Sequence, residues 1–268
     1  MTMKKILITG ATDGIGLETA KMLAADGHHL LLHGRSAAKL ETAAKDVRSV
    51  PAAGPIETFR ADLSDLQATA TLARDIAAEH DHLDMVINNA GVFVVPDAVT
   101  KDGLDVRFVV NTIAPYLLTT RLLPIIAKDG RVVNLSSAAQ APVSIAALTG
   151  QSHLEANAAY AQSKLAITMW TQVLAERHPD GPVFVAVNPA SLLGSKMVKE
   201  GYGIAGGDLR VGADILIRAS LSDTFANATG KYYDNDAHHF AAPHPAAEDT
   251  KTTQQLMETL DRMAAANR

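Results

Sequence analysis

Short apolar runs bounded by Gly, Asn or Asp alternate along the chain with longer segments whose apolar positions recur every three to four residues. A short continuous run suits a strand buried on both faces, whereas the longer period suits a helix with one face on a core. Lys5–Thr9, His29–His33, Glu57–Ala61, Met85–Asn88, Arg131–Leu135 and Val183–Asn188 are read as strands, with Lys231–Tyr233 as a weaker seventh. Helices are predicted near Gly16–Asp26, Ala37–Val47, Asp65–Glu79, Leu104–Ala127, Ala158–Arg177 and Ala213–Ser220, several opened by Ser, Asp or Gly where free N–H groups need acceptors. Parallel strands need a crossover between them, so the alternation predicts an α/β fold, a doubly wound parallel sheet of about seven strands with helices on both faces. No repeat, charge block or Pro/Gly/Ser linker interrupts the series, and 1–268 reads as a single domain.

The tail, 237–268, differs: His238, His239 and His244 lie near Pro243 and Pro245, before a last helix with Leu256, Leu260 and Met263 on one stripe. The three histidines lack an adjacent acidic ligand pattern, so they read as a solvated loop and no metal site is expected.

Composition excludes several functions. The 268 residues are 47% hydrophobic and 20% charged, enough to build a sizeable core, and the formal net charge of −5 argues against a nucleic-acid face. The absence of cysteine removes disulfides, thiolate metal sites and thiol nucleophiles, and fits a cytoplasmic protein. The apolar run Ile6–Ile8 is too short for a signal peptide. Val132–Leu154 is uncharged but carries too many polar groups for hydrocarbon, so no membrane span is expected.

Candidate chemistry starts at the end of the first strand, Thr9-Gly10-Ala11-Thr12-Asp13-Gly14-Ile15-Gly16, which enters an apolar helix. Glycines at a helix N-terminus let the backbone approach a pyrophosphate, whose charge the unpaired N–H groups and the helix dipole favour. The spacing G-x-x-x-G-x-G departs from G-x-G-x-x-G, and alone it is also what a plain strand-to-helix turn requires. Asp13 places a carboxylate where phosphate would sit. At the end of the second strand, where dinucleotide folds read the ribose 2′ position, stands His33-Gly34-Arg35-Ser36. A guanidinium suits a 2′-phosphate, whereas NAD(H) calls for an acid, so Arg35 favours NADP(H).

Tyr160 and Lys164 are four apart in a helical segment, which puts phenol and ammonium on one face. With an ordinary pKa near 10, tyrosine works as an acid or base near neutrality only beside a cation.

Here the sequence resembles the short-chain dehydrogenase/reductase family of the Tyr-x-x-x-Lys type, from the N-terminus to about Tyr233. The resemblance runs through the glycine loop, Asp62-Leu63, Asn88-Asn89-Ala90-Gly91, Asn111, Ser136-Ser137, Tyr160-x-x-x-Lys164 and Asn188-Pro189, in that order. It implies a Rossmann fold and an oxidoreductase in which Tyr160 protonates a carbonyl oxygen during reduction and Ser137 donates a hydrogen bond to that oxygen. It further implies that Lys164 binds the nicotinamide ribose and lowers the Tyr160 pKa, and that Asn111 holds a water linking Lys164 to solvent. The cofactor residues it implies are Gly10, Thr12, Asp13, Gly14, Ile15, Gly16, Arg35, Ser36, Asp62, Leu63, Asn89, Ala90, Gly91, Tyr160, Lys164, Pro189, Leu192 and Ser195. Other relatives use a bound nicotinamide for epimerisation or dehydration, or sense NADP(H) without turnover; the short tail and the complete set of four site residues argue against these.

The long stretch from Ser137 to Tyr160, with Ala159-Tyr160-Ala161-Gln162-Ser163-Lys164-Leu165-Ala166, resembles the retinol-dehydrogenase-like branch. Leu148–Glu155 within it reads as an insert, with His153 and Glu155 facing solvent. Ala190 stands where the family usually has glycine after Pro189, and the following hydroxyl, Ser195, falls one place late. Glycine-rich 194–210 suits a mobile flap over a lipophilic substrate, with Val92, Phe93, Met197 and Tyr202 as pocket wall. The resemblance also implies a homo-oligomer, dimer or tetramer, formed through the Tyr160 helix and its neighbour.

Overall fold

The computed structural model describes residues 2–267. The first half builds β1 (Lys5–Ile8), α1 (Gly14–Ala25), β2 (His29–Gly34), α2 (Ala37–Arg48), β3 (Ile56–Arg60), α3 (Leu66–Glu79) and β4 (Leu83–Asn88). A central helix follows as α4 (Val106–Phe108), a π-turn (Val109–Ile113) and α5 (Ala114–Leu122). Then come β5 (Ile126–Leu135), α6 (Ile145–Leu148), α7 (Ala156–Arg177), β6 (Val183–Asn188), α8 (Lys196–Tyr202), α9 (Leu209–Leu221), β7 (Lys231–Asp234), β8 (His239–Ala241) and α10 (Thr250–Ala266).

The sheet has eight strands in the order β3-β2-β1-β4-β5-β6-β7-β8, parallel except for β8, which pairs antiparallel with β7. The reversal of strand order about β1 and β4 makes it doubly wound, as predicted, and opens a crevice at the carboxyl ends of those strands. Alternate side chains of each buried strand feed opposite cores. Ile6, Ile8, Leu30 and Leu32 pack under α1, α2 and α9, while Leu7, Leu31, Val86 and Val132 pack under α3, α5 and α7.

The tail corrects one expectation, that of a solvated loop. The histidine segment adds the eighth strand, and the His244 ring accepts a hydrogen bond from the Ala246 N–H while the His244 backbone N–H donates to the Gln140 side chain. α10 then lies across α5 and α7, with Leu256, Met257 and Leu260 buried in their core. Tyr116 donates to Asp261, which also pairs with Arg177, and Arg121 binds the carbonyls of Ala264 and Asn267. The helices that the resemblance places in a subunit interface are therefore partly covered by the chain's own C-terminus. The central stretch Val106–Ile125 is long and apolar enough to cross a membrane, but 72% of its apolar window is buried in the fold.

Candidate active site

A cleft of about 500 Å3 opens at the carboxyl ends of the strands, and every residue assigned to the cofactor lines it. At its base, Gly10 (φ 66°) and Gly14 (φ 55°) adopt the left-handed conformation that glycine alone takes without strain. A Cβ on Gly16 would lie 2.4 Å from the Gly10 carbonyl oxygen and from Asn89 Nδ2, so α1 can begin under the loop only with glycine there. Asn89 is the tie: its amide donates to the carbonyls of Thr9 and Gly10, and the Thr9 hydroxyl accepts from Ala90 N–H. Ile15 packs beneath Gly212 of α9. Asp13 caps α1 by accepting from Gly14 N–H, which fills one of the donors a phosphate would use.

Sequence reasoning missed His33. Its buried ring accepts from the Gly10 N–H through Nδ1 and binds the Ala61 carbonyl through Nε2, and burial pushes its pKa down to about 4. It is a neutral strut joining the loop to β2 and β3; an ionisable residue inside a buried strand was the signal. Beyond it, Gly34 lets Thr12 close in, and Arg35 and Ser36 face the cleft with Lys39, also unpredicted. The Arg35 side chain is 75% exposed and 3.9 Å from the Asp62 carboxylate. Ser36 additionally caps α2 through Lys39 N–H, and Leu63 is buried beside Asp62.

The chemistry-bearing groups meet at the other end. Ser137 follows β5 and faces the cleft beside the Tyr160 phenol, which α7 presents one turn before Lys164; the Ser137 Oγ accepts from the Ala139 N–H. The paired serines divide the work: Ser136 is buried against the Lys164 carbonyl and Thr168 hydroxyl, leaving Ser137 to face the cleft. Gln140 and the Tyr232 hydroxyl hold the Ser137 carbonyl.

Burial pushes the Tyr160 phenol up to about 12, more than the neighbouring Ser137 hydroxyl lowers it. Lys164 is 4% exposed, its own pKa is brought down to about 8 by burial, and its ammonium donates to the Leu135 carbonyl, 5.6 Å from the Tyr160 ring centre. In this arrangement desolvation of the phenol outweighs any help from the cation. Asn111, in the π-turn, does not line the cleft: its amide grips both backbone groups of Val92 and donates to Ser163, whose hydroxyl binds the Tyr160 carbonyl. It anchors the loop after β4 to the helix carrying Tyr160. Gly91 lies beside both groups: a Cβ there would stand 3.5 Å, ordinary contact distance, from Asn111 Oδ1 and from Lys164 Nζ.

The far wall is Val92, Phe93, Met197 and Tyr202, with Phe93 stacked on Tyr202 and tilted against Tyr160. The flap carries α8, capped by Ser195. Its base is a close Gly–Gly crossing in which Gly194 N–H donates to the Gly207 carbonyl and Gly207 N–H to the Leu192 carbonyl. Ala190, in the place of the family's usual glycine, has φ 108°, and Leu192 has φ 54°. Beside them, Asn235 holds the Pro189 carbonyl, and Asp236 binds the backbone and hydroxyl of Ser191. The 137–160 insert is not a free loop: α6 buries Ala147 and Leu148, although His153 and Glu155 are exposed as expected.

The family profile described as short chain dehydrogenase matches residues 4–201, which spans this whole arrangement. The chain belongs to the short-chain dehydrogenase family. Among its relatives are retinol dehydrogenase 13 of Mus musculus, 30% identical with 94% of this chain and 81% of that protein aligned, and its Homo sapiens counterpart at 32%, covering 94% and 82%. It is a short-chain dehydrogenase of the retinol-dehydrogenase-like branch. A crystal structure of a Mycobacterium paratuberculosis protein superposes with a TM-score of 0.80 over 98% of this chain and 93% of that one, at 26% identity. A short chain dehydrogenase from Shigella flexneri complexed with NADP superposes with a TM-score of 0.68 at 27% identity, covering 87% and 97%.

Proposed function

We propose that this dehydrogenase is an NADP(H)-dependent oxidoreductase acting on the carbonyl/alcohol pair of a lipophilic small molecule, with Tyr160 as general acid in reduction and base in oxidation. The observation that carries it is that Ser137, Tyr160 and Lys164 line one cleft together with the glycine loop, where it meets the apolar wall of Phe93, Met197 and Tyr202. A dinucleotide fits the cleft: Gly10, Gly14 and Gly16 expose backbone at the N-terminus of α1, and Lys164 lines the cleft beside Gly91. When bound, the nicotinamide supplies or accepts hydride.

The chain's residues do the rest. Ser137 donates to the substrate oxygen and stabilises the charge that develops there, while Tyr160 delivers the proton. A phenol held well above neutral in pKa remains protonated at cellular pH, which suits the acid role. Lys164 orients the nicotinamide ribose, Leu192 and Ser195 face the carboxamide, and Asn111 fixes the loop that positions Gly91. Arg35, Ser36 and Lys39 form the end that takes a 2′-phosphate.

Kinetics with NADPH and NADH test this reading, using a panel of lipophilic aldehydes and ketones that includes retinal, since retinol dehydrogenases are among the relatives. NADPH is expected to be preferred, and Arg35→Ala to lower kcat/KM with NADPH about 10–100-fold, the worth of a charge-assisted phosphate contact, while sparing NADH. Equal loss with both cofactors would contradict the assignment of Arg35.

A further inference from the structure

At the opposite end of the sheet, where β2 and β3 begin and α3 ends, lies a group of side chains that the cleft does not use. The ligand atoms of Glu57, Glu79 and His80 all lie within 4.8 Å of one another. The His80 side chain is only 7% exposed, and its Nε2 is sealed from water with no hydrogen-bond partner, although Glu57 Oε2 is 3.4 Å away. The other Glu57 oxygen is held by His29 Nε2. A buried imidazole nitrogen left unsatisfied is unfavourable, and here it faces carboxylates. A cation between them removes that penalty and the repulsion between the lone pairs.

We propose that Glu57, Glu79 and His80 bind one divalent transition-metal ion of the zinc type, with His29 orienting Glu57. One imidazole nitrogen and two carboxylate oxygens suit zinc, cobalt or nickel, whereas calcium prefers six to eight oxygens. Ligands about 2 Å from a tetrahedral ion stand roughly 3.3 Å apart, so the cluster closes by a rotamer change of Glu79, the exposed member. The hydrogen bond from His29 is the kind of support that fixes a ligating carboxylate. Access is through an open groove lined by Glu57 and Glu79; its arginines are engaged elsewhere, Arg48 with the Ile56 carbonyl and Arg60 with the Arg35 carbonyl. The ion clamps the end of α3 to the edge strand, remote from the cleft, and so stabilises the fold without entering turnover.

The test uses tag-free, EDTA-stripped full-length protein, titrated with Zn2+ by calorimetry and with Co2+ by visible absorption. One equivalent is expected to bind, and Zn2+ at about 100 times its Kd should raise Tm by roughly 5–10 °C, with NADPH turnover unchanged. Glu79→Gln, a surface change that leaves the fold intact, should weaken uptake at least tenfold, and His80→Gln should abolish the Co2+ spectrum. A triple His238→Ala, His239→Ala, His244→Ala variant, lacking the tail histidines, should bind as the parent does. No saturable uptake at 100 μM metal, unchanged affinity in Glu79→Gln, or loss of binding in the triple variant instead would overturn the proposal.

Discussion

Lys164 is a cationic residue that the fold buries beside a phenol, and its linkage to stability has a definite sign. Its folded-state pKa, brought down to about 8, lies below the ordinary lysine value of 10.5, so the folded chain releases this proton before the unfolded chain does. The stability present above pH 10.5 is therefore lost as pH falls through about 8. Tyr160 acts in the other direction, but only from pH 10 upward, where the unfolded chain ionises before the folded one at about 12. Between pH 8 and 10 the lysine dominates: urea unfolding of wild type and Lys164→Met should diverge, wild type gaining stability relative to the variant as pH rises. Parallel curves would show that the ammonium is not desolvated. At Ala190 the argument is steric. A non-glycine residue at φ 108° stores about 1–3 kcal/mol, more than the unfolded-state entropy that glycine adds, so Ala190→Gly should raise stability by about 1 kcal/mol. A decrease in Tm would mean that the alanine methyl contributes packing that outweighs its strain.

At the scale of elements, what was legible in the sequence follows from how local the signal is. β1, β2, β4, β5 and β6 showed as apolar runs because they are buried on two faces, and the glycine loop because its conformation demands glycine. The eighth strand, His239–Ala241, is a three-residue antiparallel edge without apolar alternation, and no local pattern announces it. α8 lies within a glycine-rich stretch that reads as loop, and becomes a helix because Ser195 caps it and Gly203 ends it at φ 69°. β5 begins five residues before its expected start, as Pro124 ends the preceding helix and Gly130 passes against the Asp84 carbonyl. The site residues were legible because the family motif names them. Their partners, such as His33, Ser163 and Tyr232, were not, since those contacts join residues distant in sequence or ordinary in type. The flap also differs from a freely mobile segment in having a fixed base. Gly206 has φ 74°, and a Cβ there would lie 2.6 Å from Gly194 N, so Gly206→Ala must part the crossing strands. KM for substrate should rise several-fold with cofactor Kd little changed; an unaltered KM would show that the crossing does not set the pose of α8.

Across the whole molecule, the doubly wound sheet separates two jobs. The carboxyl ends of the strands hold the cleft, and the amino ends hold the histidine–carboxylate cluster. α10 packs against α5 and α7, covering part of the helix surface that the resemblance places in an interface. The central claim is that Tyr160, supported by Ser137, delivers the proton at the end of an NADP(H) cleft. Its most direct test compares wild type with Tyr160→Phe, measuring NADPH binding by fluorescence and NADPH oxidation with the best aldehyde of the panel. The account predicts NADPH affinity within a few-fold of wild type and turnover reduced about 100–10,000-fold, the range expected for removing a general acid. Turnover retained by Tyr160→Phe, or NADPH bound by wild type with no turnover across the panel, would contradict it.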